Sequence, residues 1–326
     1  MKMSEDRLIS IDSLRGLAAS AVLWFHLTNT VNNYPISQIL RDSGSYGWIG
    51  VDVFFVISGF IIPYSLWCGN FVFRDHWRAF FLKRILRIEP TYLISIIFTI
   101  CLALVSNAIL AKSVYTFDTA QLAAHFLYLN ALLGYEWINP VYWTLAIEFQ
   151  YYILIGFIYK ALQSKNGRFF LLLGAFLLAY FIRDANFIFK FSGLFLMGIF
   201  VFLFHIKAIG NTEFACLFGG SLVLSLINLD MAATFAGLTT SFFILYVRFP
   251  EFKFLTFFGM ISYSLYLFHY PIVEKLMRYG KYLGMGTLDQ ILVSIITLFV
   301  SILVATFFYK FVEKPSMRIS SKIRYI

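Results

Sequence analysis

The sequence predicts an all-α, polytopic membrane protein with about ten transmembrane helices. Of the 326 residues, 60% are hydrophobic, 13% are charged and 39 are phenylalanine, and the mean hydropathy is +0.78. A soluble domain is about 25% charged, so this composition excludes a soluble globule. Because no loop is long enough to form a separate soluble domain, residues 1–326 are interpreted as one membrane domain.

The number of spans follows from hydropathy, since about 20 apolar residues cross a hydrocarbon core about 30 Å thick. Apolar segments of this length, or nearly so, occur at 12–31, 47–67, 90–110, 141–160, 168–183, 190–206, 213–229, 231–248, 254–274 and 288–311. One further apolar segment, 119–134, is shorter and contains His125 and Asn130.

Basic residues decide how segment 119–134 is interpreted, because cytoplasmic loops are enriched in Lys and Arg. If this segment does not cross, 18 of the 26 Lys and Arg residues face the cytoplasm; they lie in 1–11, 68–89, 160–168, 207–212, 248–253 and 310–326. We therefore expect ten spans, both termini in the cytoplasm, and 119–134 as a re-entrant or interfacial hairpin on the outer face. Three basic residues then lie outside against the rule: Lys275, Arg278 and Lys281.

Several other sequence features predict that a cleaved signal peptide, a metal site and nucleic-acid binding are absent. The polar first ten residues are not followed by a small-residue cleavage site, so we expect no cleaved signal peptide. Cys68, Cys101 and Cys216 show neither CxxC nor His/Cys spacing, so they are predicted to be packing residues, and no metal site is expected. The net charge of +9 is attributed to loops at the membrane surface and not to nucleic-acid binding.

Arg15 and His26 both lie in the first predicted span. Eleven residues of helix make three turns plus about 20°, so both side chains leave the same face, about 16 Å apart. Ionisable residues in hydrocarbon are costly, and such a pair is a functional-site hypothesis. The alternative is that Arg15 reaches lipid phosphates and His26 hydrogen-bonds a neighbouring helix.

Four ionisable residues are predicted to lie at one depth in the outer half of the membrane. Counting helix rise from each boundary places His26, Asp52, Glu148 and His269 about 20–22 Å above the cytoplasmic edge. Two histidines near two carboxylates fit a general base with its orienting partner, but also a metal site or a proton relay. The structural alternatives are that Asp52 caps the second helix and that His269 caps a helix ending before Pro271.

A second cluster is predicted at the cytoplasmic side. Arg84 and Arg87 are three residues apart on one helical face, with Lys83 beside them, and two guanidiniums on one face suit phosphate oxygens. The alternative is a basic cluster that binds lipid headgroups. Ser58–Gly59 is a small step between aromatic residues, and we interpret it either as a close helix contact or as the floor of a passage.

These segments together resemble the acyltransferase 3 family of integral membrane O-acyltransferases. The segments that carry the resemblance, in order, are RGLAASAVLWFH (15–26, an Arg-x10-His motif), VDVFFVISGFII (51–62), KRILRIEPTY (83–92, Arg-x-x-Arg), WTLAIEFQYY (143–152), SYSLYLFHYPI (262–272) and FVEKP (311–315). Two departures are mild: Thr144 replaces a usual Ser, and Gln150–Tyr151 a usual aromatic pair. We expect a stand-alone form without the SGNH-type domain of some members.

The resemblance implies transfer of an acyl group, usually acetyl, to a hydroxyl. The donor would be cytoplasmic acyl-CoA, a substrate and not a permanently bound cofactor. The acceptor would be an extracytoplasmic or lipid-linked glycan such as O-antigen or exopolysaccharide, and the protein would lie in a bacterial inner membrane. A proton-coupled transporter or flippase remains an alternative, as does a non-catalytic sensor or structural protein, although we find no internal repeat typical of transporters.

The resemblance also suggests a role for each candidate residue. Arg84 and Arg87 would hold the nucleotide end of coenzyme A, with Arg15 at the entrance and the pantetheine arm passing Ser58. His26 would deprotonate the acceptor hydroxyl, oriented by Glu148 or Asp52. Further residues expected to contact substrate are His269, Trp143 and Tyr142.

Overall fold

The computed structural model describes residues 5–30, 38–109, 118–182, 186–247, 252–282 and 287–325, and no strand occurs among them. The α-helices are α1 Glu5–Asn29, α2 Gln38–Gly44, α3 Gly50–Cys68, α4 Phe73–Ile109, α5 Thr119–Phe126, α6 Trp143–Ile158, α7 Lys165–Phe181, α8 Ile188–His205, α9 Asn211–Asn228, α10 Met231–Tyr246, α11 Lys253–Tyr282, α12 Thr287–Phe308 and α13 Lys314–Ser321. Short 3-10 helices are Gly47–Ile49, Pro140–Tyr142 and Ala161–Gln163, and Tyr309–Glu313 is a π-helical turn between α12 and α13.

The all-helical prediction is confirmed for the described residues, and each of the ten predicted segments overlaps one long helix. Within the described residues, the helical stretches that are long and apolar enough to span a membrane are Gln38–Cys68, Phe73–Ile109, Pro140–Ile158, Ile188–His205 and Asp289–Ser321. The protein therefore has several helices able to span a bilayer. The number of spans and the side of each terminus stay predictions.

The segment 119–134 forms the eight-residue helix α5 followed by turns. Eight helical residues extend about 12 Å, less than half of the hydrocarbon thickness. The segment is held against α4, because the Tyr92 hydroxyl donates to the His125 carbonyl (3.2 Å) and the Tyr128 hydroxyl donates to the Glu89 carboxylate (2.7 Å). This geometry supports a hairpin that does not cross.

Helix α4 differs most from the prediction. The third span was expected to begin at residue 90, yet α4 runs unbroken for 37 residues, from Phe73 to Ile109, a length of about 55 Å. Pro90 lies inside it, where it removes only its own backbone donor instead of ending the helix. Arg84 and Arg87 are therefore part of a helix that continues into the bundle, and do not belong to a segment below it.

Helices α3 and α8 pack closely where both present glycine. A Cβ atom on Gly59 would collide with the Phe195 carbonyl, and one on Gly198 would collide with the Val56 carbonyl. The close-contact interpretation of Ser58–Gly59 is thus right for Gly59. The neighbouring Ser58 lines an internal chamber. Its position corresponds to the other interpretation, in which this segment borders a passage.

Two other prolines lie inside helices. Each leaves one backbone carbonyl without its usual N–H donor, and a side chain donates to that carbonyl instead. Pro63 cannot donate to the Gly59 carbonyl and Pro271 cannot donate to the Leu267 carbonyl. The Tyr151 hydroxyl donates to the first of these at 3.5 Å and the Asn139 amide to the second at 3.0 Å. Helix α11 consequently continues to Tyr282, and His269 is not a cap at a helix end.

Two further expectations from the sequence concern residues at the surface. Lys275 and Arg278, basic residues predicted to lie outside, both pair with Glu274 at 3.3 and 2.8 Å, which offsets their charge. The cysteines were predicted to be packing residues, but all three are free and exposed: Cys68, Cys101 and Cys216.

The topology can be tested by cysteine labelling in a background that lacks the three native cysteines. Lys165→Cys and Lys322→Cys should react with an impermeant maleimide only after the cells are opened, because the charge distribution places both inside. Glu136 is exposed and follows the segment 119–134. Glu136→Cys should be labelled from outside in cells whose inner membrane is intact. Labelling of position 165 from outside would show that segment 119–134 crosses the membrane and that every later loop is inverted.

Candidate active site

An internal chamber lies between α1, α3, α4, α6 and α11 and the helical stretch that ends in α13. Its unfilled space amounts to about 1010 Å³ when the solvent-filled opening is included. Its ionisable and small polar lining includes Arg15, Ser58, Arg84, Arg87, Glu148, Tyr152 and Glu313. Five of the sequence-predicted site residues, namely Arg15, Ser58, Arg84, Arg87 and Glu148, are therefore brought together.

Three arginines, Arg15, Arg84 and Arg87, give the chamber a cationic lining. The Arg84 side chain is 6% exposed, and its Nε and Nη2 atoms have no hydrogen-bond partner in the described part of the chain. Its guanidinium lies 5.5 Å from the ring centres of both Phe80 and Tyr152. Among the described residues, neither Arg15, Arg84 nor Arg87 forms an ion pair. A buried cation with unused donors is costly unless a ligand meets it.

Glu148 lines this chamber, whereas His26 is not among the lining residues. Its carboxylate accepts hydrogen bonds from the Ser58 hydroxyl at 3.0 Å and from the Tyr152 hydroxyl at 2.5 Å. The same Tyr152 ring contacts the Arg84 guanidinium. The prediction separated Glu148 from the arginines because it started the third span at Pro90, whereas the continuous α4 carries Arg84 into the chamber that Glu148 also lines.

The second part of the site is a pair of histidines from α1 and α11. The rings of His26 and His269 stack with their centres 5.1 Å apart, and Tyr270 meets His26 edge-on at 5.0 Å. The Nδ1 atom of His26 lies 3.2 Å from the Thr30 hydroxyl. The predicted convergence of His26 and His269 from different helices is thus found.

His269 has a defined tautomer. It is 1% exposed, and its Nδ1 lies 2.9 Å from the Leu265 carbonyl oxygen, which can only accept. The proton of the neutral ring therefore sits on Nδ1, and Nε2 carries a lone pair. This Nε2 has no hydrogen-bond partner within the described residues.

Tyr266 joins the two parts of the site. It lines the chamber, and its ring centre lies 6.0 Å from that of His269 and 6.2 Å from that of Phe54. Its hydroxyl is hydrogen-bonded with the Thr144 hydroxyl at 2.8 Å and donates to the Val141 carbonyl at 3.2 Å. A threonine in place of the usual serine at 144 keeps a hydroxyl in this network. One aromatic layer thus separates the arginine chamber from the histidine pair.

The expected pairing of His26 with Glu148 or Asp52 is not among the contacts of the described residues. Asp52 is 4% exposed in the first turn of α3, where its charge complements the helix dipole. It makes no N-cap hydrogen bond, and its Oδ2 has no partner in the described part of the chain. Its electrostatic neighbour is Asp230, which caps α10. Asp52 therefore contributes a second buried acid that is separate from the chamber lining.

Trp143 and Tyr142 lie behind these groups. Tyr142 is fully buried, and its hydroxyl is hydrogen-bonded with the hydroxyls of Ser95 at 2.8 Å and Thr99 at 3.4 Å. Trp143 is half-buried against Phe191, with ring centres 5.4 Å apart. In this conformation Tyr142 supports the site from the core, and contact of either residue with substrate stays a prediction.

Several chamber residues had no assigned role in the sequence analysis, and two of them are ionisable groups close to the arginines. Tyr152 and Glu313 belong to segments that were used only for the resemblance. The signal for Glu313 was an acid two residues beyond the last predicted span, 288–311, and an acid so close to an apolar segment is a functional-site hypothesis by the rule applied to Glu148. Within the described residues, no group of three or more His, Cys, Asp or Glu side chains could hold a metal ion.

Known proteins share this sequence pattern. The O-acetyltransferase OatA of Staphylococcus aureus (strain NCTC 8325 / PS 47) is 25% identical over 375 aligned positions, which cover 96% of this chain and 58% of OatA. ORF330 of Acidianus two-tailed virus, named for acetyltransferase activity, is 29% identical over 171 residues, or 51% of this chain and 45% of ORF330. Nodulation protein 10 of Rhizobium leguminosarum bv. viciae is 26% identical over 166 residues, or 45% of this chain and 42% of that protein.

The chain thus spans about half the length of the curated relatives it matches. No solved structure matches it. The sequence model of the acyltransferase 3 family, described as an acyltransferase domain, matches residues 8–310. Because this match covers nearly the whole chain and all six sequence motifs overlap or adjoin it, the chain belongs to the acyltransferase 3 family.

Proposed function

We propose that this protein transfers an acyl group, specifically acetyl, from acyl-CoA to a hydroxyl of an extracytoplasmic or lipid-linked glycan. The observation that carries the proposal is the buried Arg84 guanidinium, whose Nε and Nη2 have no hydrogen-bond partner among the described residues, in a chamber one aromatic layer from a histidine pair. An anion site beside a candidate base is what a phosphate-bearing thioester and a hydroxyl acceptor require. The name of OatA, an O-acetyltransferase, supports acetyl as the acyl group.

The donor would bind through its phosphates. The Nε and Nη2 edge of Arg84 presents two parallel N–H donors, the fork that phosphate oxygens accept in a bidentate manner. Arg87 and Arg15 line the same chamber and add two more cations. The pantetheine arm would extend past Ser58 toward Tyr266, which places the thioester next to the histidines.

The acceptor would react at His26. His26 would take the proton of the acceptor hydroxyl while that oxygen attacks the thioester carbonyl. A C–O bond forms, the C–S bond breaks, and the proton passes to the departing CoA thiolate, so the transfer is balanced without a further reactant. His269, whose tautomer is fixed by Leu265, would hold the His26 ring by stacking.

In this proposal Glu148 does not orient His26. Because it accepts hydrogen bonds from Tyr152 and Ser58, it would position Arg84 through the Tyr152 ring. Asp52, Trp143 and Tyr142 stay candidates on the acceptor side. The protein would act as a multi-pass protein of a bacterial inner membrane, with O-antigen and exopolysaccharide among its candidate acceptors.

The proposal is tested by acetyl transfer from radiolabelled acetyl-CoA with the purified protein in nanodiscs. His26→Ala should lower turnover about 10²- to 10⁴-fold, the contribution of a general base. His76→Ala, a histidine at the start of α4 that does not line the chamber, is the matched control and should retain wild-type turnover. If His26→Ala kept more than a tenth of wild-type turnover, His26 would not be the base. Acceptor movement without acetyl-CoA consumption would favour the transporter alternative.

Arg84→Ala and Arg87→Ala should act on donor affinity. Contacts with phosphates are equal in the ground and transition states, so KM for acetyl-CoA should rise about 10- to 100-fold with kcat nearly unchanged. Arg→Lys should recover only part, because the fork is lost. Arg78→Ala on the exposed face of α4 is the control and should leave KM unchanged. A lower kcat at constant KM would instead assign these arginines to helix packing.

A further inference from the structure

Glu313 is a buried carboxylate that the proposed reaction does not use. It is 4% exposed and ends the π-helical turn Tyr309–Glu313, a kind of turn that is frequent at functional sites. Its Oε2 atom accepts two hydrogen bonds from Ser264 of α11, from the backbone N–H at 3.1 Å and from the hydroxyl at 2.6 Å. The carboxylate is thus held in place by a neighbouring helix.

The electrostatic surroundings of Glu313 are cationic. It lines the chamber together with Arg15 and Arg87, and both arginines interact with it electrostatically. No nitrogen–oxygen contact within salt-bridge distance joins Glu313 to either arginine in the described part of the chain. The carboxylate therefore balances their charge through space and leaves their N–H donors available to another anion.

We propose that Glu313 is the internal counter-ion of the donor site. In the empty chamber Glu313 offsets the charge of Arg15 and Arg87. When acyl-CoA is bound, the donor phosphates offset that charge instead. Glu313 also repels the phosphates of CoA. This repulsion weakens CoA binding and allows the CoA product to leave the chamber. This inference rests on the proposed function, and it makes Glu313 a positioning residue and not a catalytic one.

The sign of the expected effect separates this role from an anchoring role. A fixed negative charge near bound phosphates opposes their binding, so its removal should strengthen CoA binding. It should also destabilise the empty protein, because the half-buried Arg15 and Arg87 lose their compensating charge. If Glu313 served only to tie Ser264 to the last helix, its removal would destabilise the empty and the CoA-bound protein equally and leave CoA affinity unchanged.

The test compares Glu313→Gln with Ser264→Ala and wild type in nanodiscs, by calorimetric titration with CoA and by Tm with and without saturating CoA. Glu313→Gln should bind CoA about tenfold more tightly, from one unit charge at an effective dielectric constant of about 20, and should show a larger CoA-induced rise in Tm. Ser264→Ala, which removes the hydroxyl donor but keeps the charge, should lower Tm while CoA affinity stays within about twofold.

The outcomes distinguish the two proposals. If wild type binds CoA and Glu313→Gln binds it equally or more weakly, the counter-ion role is wrong. If wild type binds no CoA, the donor site of the proposed function is wrong. Should Glu313→Gln not fold, the double variant Arg87→Gln/Glu313→Gln removes both charges and is expected to fold. It should bind CoA about tenfold more tightly than Arg87→Gln alone, and equal affinities would overturn the inference.

Discussion

A guanidinium buried in an apolar helical bundle is the constraint on which the site depends. Arg84 is almost fully buried, and in the described part of the chain two of its nitrogen atoms have no hydrogen-bond partner. Such a group persists only where its surroundings lower its cost. Here the faces of Phe80 and Tyr152 cover it, and Tyr152 is in turn held by Glu148. The chain thus keeps a charge at a cost in stability, which is expected where the charge serves binding.

The packing of the bundle provides the space for this charge. Helices α3 and α8 approach closely through Gly59 and Gly198, while the adjacent Ser58, about 100° around α3, borders the chamber. Long helices remain continuous through Pro63 and Pro271 because Tyr151 and Asn139 donate to the carbonyl groups that these prolines leave unpaired. Polar side chains inside the bundle therefore preserve the helices that carry the site.

Two chemistries are kept apart by one layer of aromatic side chains. The chamber holds three arginines and two carboxylates, whereas the histidine pair lies beyond Tyr266. In the proposed reaction, the polyanionic donor and the hydroxyl acceptor approach the reacting atoms from different directions. The network of Tyr266 with Thr144 and Val141 fixes this boundary, since a buried, hydrogen-bonded tyrosine seldom changes its position without cost.

The sequence by itself determined the helical class, the membrane character and the family. Those features depend on composition, on apolar length and on motifs, all of which are local along the chain. It also determined that Arg15 and His26 share a helix and that His26 and His269 lie at one depth, because rise per residue needs only an approximate helix start. Errors of a few residues do not change such results.

Only the tertiary structure decided which groups meet around the bundle axis. Hydropathy gives the depth of a side chain but not the direction in which its helix faces, which depends on packing against neighbours. The sequence therefore could not show that the partners of Glu148 are Tyr152 and Arg84 and not His26. It also could not show that Glu313 lies beside Arg15. The position of Arg84 also depended on whether Pro90 ended a helix. A proline at that point is compatible with a helix end or a continuous helix, and packing selected the continuous α4.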